Sequence, residues 1–185
     1  MWRERMRNAL TDLSEGREPT PPPENTDEVN DAELPNGIGT PLADAAARSD
    51  HLLSEIIELY GRVGERTFDW YSAKNTTEAV LRNSYLHPRV HLFEYLRENG
   101  EQDPANELFE DMFADMQAAG APPMIMTTAQ YNLACARSRQ GRKDDALTLL
   151  EDALTARPEM REAAAEDPDL EPLRDDPRFQ ELIKT

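Results

Sequence analysis

The sequence predicts an all-α protein. Apolar residues recur every three or four positions through most of the chain, the period of a helix with one buried face. Most of the 14 prolines mark breaks between these stretches. Long Val/Ile/Thr runs, the mark of strands, are absent. The architecture expected is a partial helical bundle packed on a C-terminal helical hairpin. The expected domains are residues 1–99 and residues 100–185, both within reach of a 185-residue chain.

The first helix is expected over residues 1–14, with Trp2, Met6, Leu10 and Leu13 on one face and Gly16 as its stop. Residues 17–41 hold six prolines, among them the run Pro21-Pro22-Pro23, and few apolar clusters. They read as an extended Pro-rich strap laid across the surface, because a structureless connection of this length is unusual in a compact domain. Thr40-Pro41 then makes a cap and a first turn for a helix running to about Leu59. Its apolar positions are Leu42, Ala46, Leu52, Leu53, Ile56 and Ile57, and Gly61 and Gly64 end it. Phe68-Asp69-Trp70-Tyr71 reads as an aromatic loop that plugs the end of a bundle or, alternatively, lines a small apolar pocket.

Asn75 and Glu78 form a capping-box variant ahead of a helix over residues 76–97. Pro88 falls inside that helix and predicts a kink. Asp103-Pro104 starts a further helix with Ala105, Leu108, Phe109, Met112, Phe113 and Met116 on its apolar side, and Gly120 ends it. Residues 127–158 read as two antiparallel helices. Ala134, Ala146 and Ala153 sit where they must approach closely, while Tyr131, Leu133, Leu147, Leu150 and Leu154 supply the seam. Gly141 makes the turn and Pro158 closes the second helix. A short helix over residues 159–165 and an irregular turn over residues 167–173 follow. Asp176-Pro177 opens a last helix whose Phe179, Leu182 and Ile183 cover the open end of the stack.

The hairpin at residues 127–158 resembles the tetratricopeptide repeat, and residues 101–185 as a whole resemble that repeat with a short C-terminal extension. Residues 86–119 resemble a degenerate first copy. Its offset is 41 residues, from Gly100 to Gly141, against about 34 in that family.

Charge narrows the function classes. The formal net charge is −17, from 37 acidic and 20 basic residues. This disfavours nucleic-acid backbones and anionic membrane surfaces, both of which reward clustered Lys and Arg. The plain reading of the charge is a solubility surface, and the sharper one is an acidic face for a basic partner. Cys135 is the one cysteine, so no intrachain disulfide forms, and its apolar neighbours mark it as a packed thiol. With no apolar run of about 18 residues and no apolar leader, a reducing cytoplasm is the expected compartment.

Few residues offer chemistry. The three histidines are His51, His87 and His91. His87 and His91 are one helical turn apart, so both imidazoles face one way and together suit a divalent ion, with zinc, nickel or iron the candidates. His51 is the only histidine left as a third ligand, with Glu55 and Glu94 as acidic substitutes. The bland alternative is that these side chains hydrogen-bond within a helix junction. No Gly-rich phosphate loop, nucleophile elbow or zincin motif is present, and no catalytic carboxylate pair stands out.

Residues 24–100 resemble the DinB-like four-helix-bundle superfamily, in particular its ClbS/DfsB-type branch. The likeness rests on Asn25-Thr26-Asp27-Glu28-Val29-Asn30, on Ser49-Asp50-His51-Leu52-Leu53, and above all on Asn83-Ser84-Tyr85-Leu86-His87-Pro88-Arg89-Val90-His91-Leu92. In that superfamily one histidine of the second helix and two of the fourth hold a metal. The resemblance implies that His87 and His91 are the latter pair. It also implies that the first helix and the second-helix histidine fall before residue 1, leaving both the metal site and the core incomplete.

Two functions follow as expectations. The first is a helical scaffold that binds a protein or peptide through the tetratricopeptide-like region, with apolar helix faces of the remnant bundle favouring a homodimer. The alternative, implied by the DinB-like resemblance, is a metal-dependent small-molecule transferase or hydrolase using His87 and His91.

Overall fold

The computed structural model describes residues 1–184. Among them are ten α-helices and one short β-hairpin, so the fold is all-α. The chain divides into two compact units, Met1–His87 and Pro88–Thr185. The divide falls ahead of the expected junction at residues 99 and 100. The helix after His87 groups with the second unit, where its Phe93 ring stacks on Phe109 at 4.0 Å and 9°.

In the first unit, α1 (Trp2–Ser14) packs on α3 (Leu42–Val63). Met6, Ala9 and Leu10 on α1 are buried, as are Leu52, Ile56, Leu59 and Val63 on α3. Each large apolar side chain buried in this way contributes about 1.5–3 kcal/mol. Gly16 and Gly64 end the two helices with φ of 73° and 65°, the left-handed conformation that favours glycine.

Two sequence expectations need correction here. The strap is extended only in part, because α2 (Thr26–Gly37) lies within it. Asn25 caps that helix by accepting a hydrogen bond from the Glu28 amide at 3.3 Å, and Asp27 and Glu28 favour its first turn. Pro35 sits in the last turn of α2, where it forgoes the hydrogen bond an N–H would make to the Asp31 carbonyl. The helix buries none of its side chains. Trp2 Nε1 donates to Asn30 Oδ1 at 3.0 Å, and Arg5 pairs with Glu33 at 2.9 Å. The extended part of the strap is held at Pro23, whose carbonyl accepts from the Tyr71 hydroxyl at 3.1 Å.

The aromatic segment is the second correction. It forms a strand, β1 (Thr67–Trp70), paired antiparallel with β2 (Ala73–Asn75). Phe68 and Trp70 alternate inward, and their rings stack at 5.5 Å. Tyr71 makes the turn at φ 54°. The expected burial of these rings holds, on a hairpin rather than a loop.

The next helix is broken into three. α4 (Thr76–Leu81) gives way to a π-helical turn at Arg82–Leu86, and α5 (His87–Glu98) follows. The expected disturbance around Pro88 is therefore a π turn that ends just before His87. Asn75 caps α4 through the Glu78 amide at 2.8 Å, as its spacing predicts.

The second unit is a helical stack. α6 (Gln102–Ala118) packs on α7 (Pro123–Arg139), and α7 packs on α8 (Lys143–Ala156). Ala134, Ala146 and Ala153 are wholly buried between neighbours, together with Leu150 and Leu154. Gly141 turns the chain at φ 74°. A 3₁₀ turn at Pro158–Met160 and α9 (Arg161–Glu166) lead into a second 3₁₀ turn at Pro168–Leu173, then α10 (Pro177–Leu182). Leu170, Leu173 and Phe179 join the α7–α8 core, with Leu182 and Ile183 packed against it. This is the expected cap on the stack. No helix among the described residues is long and apolar enough to cross a membrane.

Candidate functional site

The second unit contains a cavity of about 480 Å³. One side is apolar, formed by Val90 and Phe93 on α5 with Phe109 on α6. The other side is polar, formed by Tyr131, Asn132 and Cys135 on α7 and by Asp167 and Asp169 at the 3₁₀ turn. Glu94, Arg97 and Glu166 also line it.

Asp167 organises the polar wall. It caps the 3₁₀ turn, its Oδ1 accepting from the Asp169 amide at 2.9 Å. Its Oδ2 accepts from the Tyr131 hydroxyl at 2.9 Å and from the Cys135 thiol at 3.8 Å. Asp169 is held by two guanidiniums. Arg97 donates to Oδ1 at 3.0 Å, and Arg139 donates to the same oxygen. The two aspartates thus join α5 and α7 to the closing turn of the stack.

Burial pushes the Tyr131 hydroxyl far above its ordinary value, and the adjacent Cys135 and Asp167 add to that shift. Burial also raises the Cys135 thiol well above its usual range, with Asp167 and Asp169 next in importance. Both groups are neutral at physiological pH. A protonated, buried thiol is a poor nucleophile, so the packed-thiol reading of Cys135 fits its surroundings.

Cys135, Asp167 and Asp169 place three ligand atoms within 4.8 Å of one another, the one such group among the described residues. A cation there would displace the Tyr131 hydroxyl from Asp167 or the guanidiniums from Asp169. The carboxylates already have partners, and the cluster closes the stack as a hydrogen-bonded network.

The histidines lie elsewhere. The His87 ring meets Trp2 edge-on, with centroids 6.5 Å apart and planes at 79°. His91 is exposed on α5, its Nδ1 3.5 Å from Glu94. His51 is exposed on α3, its Nε2 3.9 Å from Glu55. None of the three belongs to a three-ligand group. His51 is not brought to His87 and His91 as a third ligand.

The polar wall was not visible as a site in the sequence. Tyr131 and Asp167 are 36 positions apart, and residues 167–173 read as an irregular turn. The available signal was Asp167-Pro168, a cap followed by a first-turn proline, the same pattern that marked Asp176-Pro177. The first unit has a smaller cavity of about 190 Å³, lined by Arg5, Asn8, Asp12, the strap residues Thr20–Pro22 and Trp70.

Scanned against models of known families, the chain matches none. No curated protein and no solved structure matches it either.

Proposed function

We propose that the chain is a helical interaction module, and that its second unit binds a peptide segment of a partner protein in the cavity between α5, α6, α7 and the 3₁₀ turn. One observation carries the reading. The cavity is lined both by the stacked Phe93–Phe109 pair and by Asn132, whose amide nitrogen has no hydrogen-bond partner. Apolar lining together with a spare donor suits a peptide, which offers apolar side chains and main-chain carbonyls together. A buried donor left unpaired costs about 1–3 kcal/mol, and a ligand carbonyl removes that cost after a small rotation of the amide. Two features support a basic ligand. Glu94 and Glu166 are exposed on the lining of the cavity, and the chain as a whole carries −17.

The tetratricopeptide-like reading of the alanine-lined hairpin fits this role. The DinB-like reading of the first unit gives it a supporting part, as a bundle remnant without catalysis.

The test is selection of short peptides from a random display library on the full chain, followed by calorimetry with the enriched peptides. Peptides combining an apolar residue with Lys or Arg are expected. Asn132→Ala should weaken them about tenfold, and Glu94→Lys with Glu166→Lys at least as much. No enrichment, or affinity indifferent to all three substitutions, would overturn the proposal.

A further inference from the structure

Helix α3 carries two apolar stripes and only one is used. Leu52, Ile56, Leu59 and Val63 form the buried stripe, and α1 packs on α3. At 3.6 residues per turn the second stripe, Leu42, Ala46, Leu53 and Ile57, lies about 100° around the helix from the first. Leu42 is 84% exposed and Ile57 62%, Ala46 is exposed, and Leu53 is half-buried. Ala43, Ser54 and Gly61, all exposed, lie about 70–90° further round, on the side away from the buried stripe. Asp50 is the one charged side chain beside this stripe, in a chain whose residues are 31% charged. Leu34 on α2 and Ile38 just after it are also exposed, at 62% and 72%. A large apolar face so poor in charge has the composition of an interface core rather than of a solvated surface.

We infer that this face pairs with the same face of a second copy of the chain, α3 running antiparallel to α3. The spacing of the stripe supplies the argument. Leu42, Ala46, Leu53 and Ile57 are separated by four, seven and four positions. That order is the same read in either direction. A two-fold axis beside Ser49 and Asp50 therefore sets Leu42 against Ile57 of the second copy and Ala46 against Leu53, which is the self-matching an isologous dimer requires. The small side chain of Ala46, set against Leu53, lets the two helices approach closely. A basic peptide is a poor occupant, because Asp50 is the only carboxylate on the face to receive it.

The stripe is about 22 Å long. A stripe of this length and one helix wide belongs with small interfaces, below about 1,200 Å² in all. The dimer is therefore one of micromolar affinity. The two Asp50 carboxylates meet near the axis and weaken it.

Sedimentation velocity of the full chain from about 1 to about 200 µM tests this. The mass is expected to rise from the 21.0 kDa of one chain toward twice that value. Leu42→Glu and Ile57→Glu, both at exposed positions that leave the core intact, should each weaken association at least about tenfold. Asp50→Asn should tighten it about threefold. A short bis-maleimide should cross-link a mixture of Leu42→Cys and Ile57→Cys chains, and neither variant alone. A single-chain mass throughout the range, a dimer unaffected by both Glu substitutions, or cross-linking of position 42 to itself would overturn the inference.

Discussion

Arg3 donates from Nη2 to the carbonyl oxygen of Ser84 at 3.0 Å. Ser84 lies four residues before Pro88, so its carbonyl is the one that an α-helical N–H at position 88 would have taken. The π turn and the Arg3 guanidinium together answer the loss of that hydrogen bond. Arg3 Nη1 also donates to Ser49, to the carbonyl at 2.9 Å and to Oγ at 2.6 Å. One side chain of α1 therefore ties α3 to the π turn.

Arg3→Met should destabilise the first unit by about 2–3 kcal/mol, since it leaves buried carbonyls without donors. In a Pro88→Ala background the cost should fall by about 1 kcal/mol, because an alanine at that position restores an N–H for the Ser84 carbonyl. Urea unfolding of the four proteins measures the difference. An equal cost in both backgrounds would disconnect Arg3 from the proline.

Glu4 gives the first unit an acid sensitivity. Its hydrogen bond to the Arg48 guanidinium holds the carboxyl below its ordinary 4.5. A depressed carboxyl pKa contributes stability that is present above the unfolded value and lost as pH falls through the folded one. Thermal unfolding of wild type should therefore lose stability below pH 4.5 more steeply than that of Glu4→Gln. Matching slopes below that pH would contradict the assignment.

Cys135 should react slowly. Its raised thiol pKa and burial, with the Asp167 carboxylate beside it, predict modification by a disulfide reagent at pH 8 at least about 100-fold slower in the native protein than in urea. Asp167→Asn should raise the native rate. The same shift makes the folded form less stable in alkali, with the loss beginning as pH passes the ordinary thiol value of 9.0. A native rate near the unfolded one would mean that the thiol is open to solvent.

The α7–α8 hairpin was legible because its signals are local. Gly141, Ala146 and Leu150 belong to one turn and two helical turns of sequence, and their spacing alone describes the packing. The helix α2 was hidden by Pro35, which reads as a breaker although it falls in the last turn. The β1–β2 hairpin was hidden by its brevity and by Tyr71, whose left-handed turn carries no glycine signal. On α3 the sequence shows one set of apolar positions, Leu42 to Ile57, but not that only part of it is buried. The cavity wall depends on Asp167 and Asp169 meeting Tyr131, Cys135 and Arg97, contacts between distant positions that no periodicity announces.

Metal content separates the interaction reading from the enzymatic alternative. Protein loaded with zinc, nickel or iron and then desalted should retain well under one equivalent, unchanged by His87→Ala, since His51, His87 and His91 belong to no three-ligand group among the described residues. Stoichiometric metal that is lost in His87→Ala would restore the transferase or hydrolase reading.

The measurement closest to the central claim is calorimetric titration of a library-selected basic–apolar peptide into wild type and Asn132→Ala. The account predicts one site per chain in wild type and about tenfold weaker binding in the variant. Equal affinity for both proteins would contradict it.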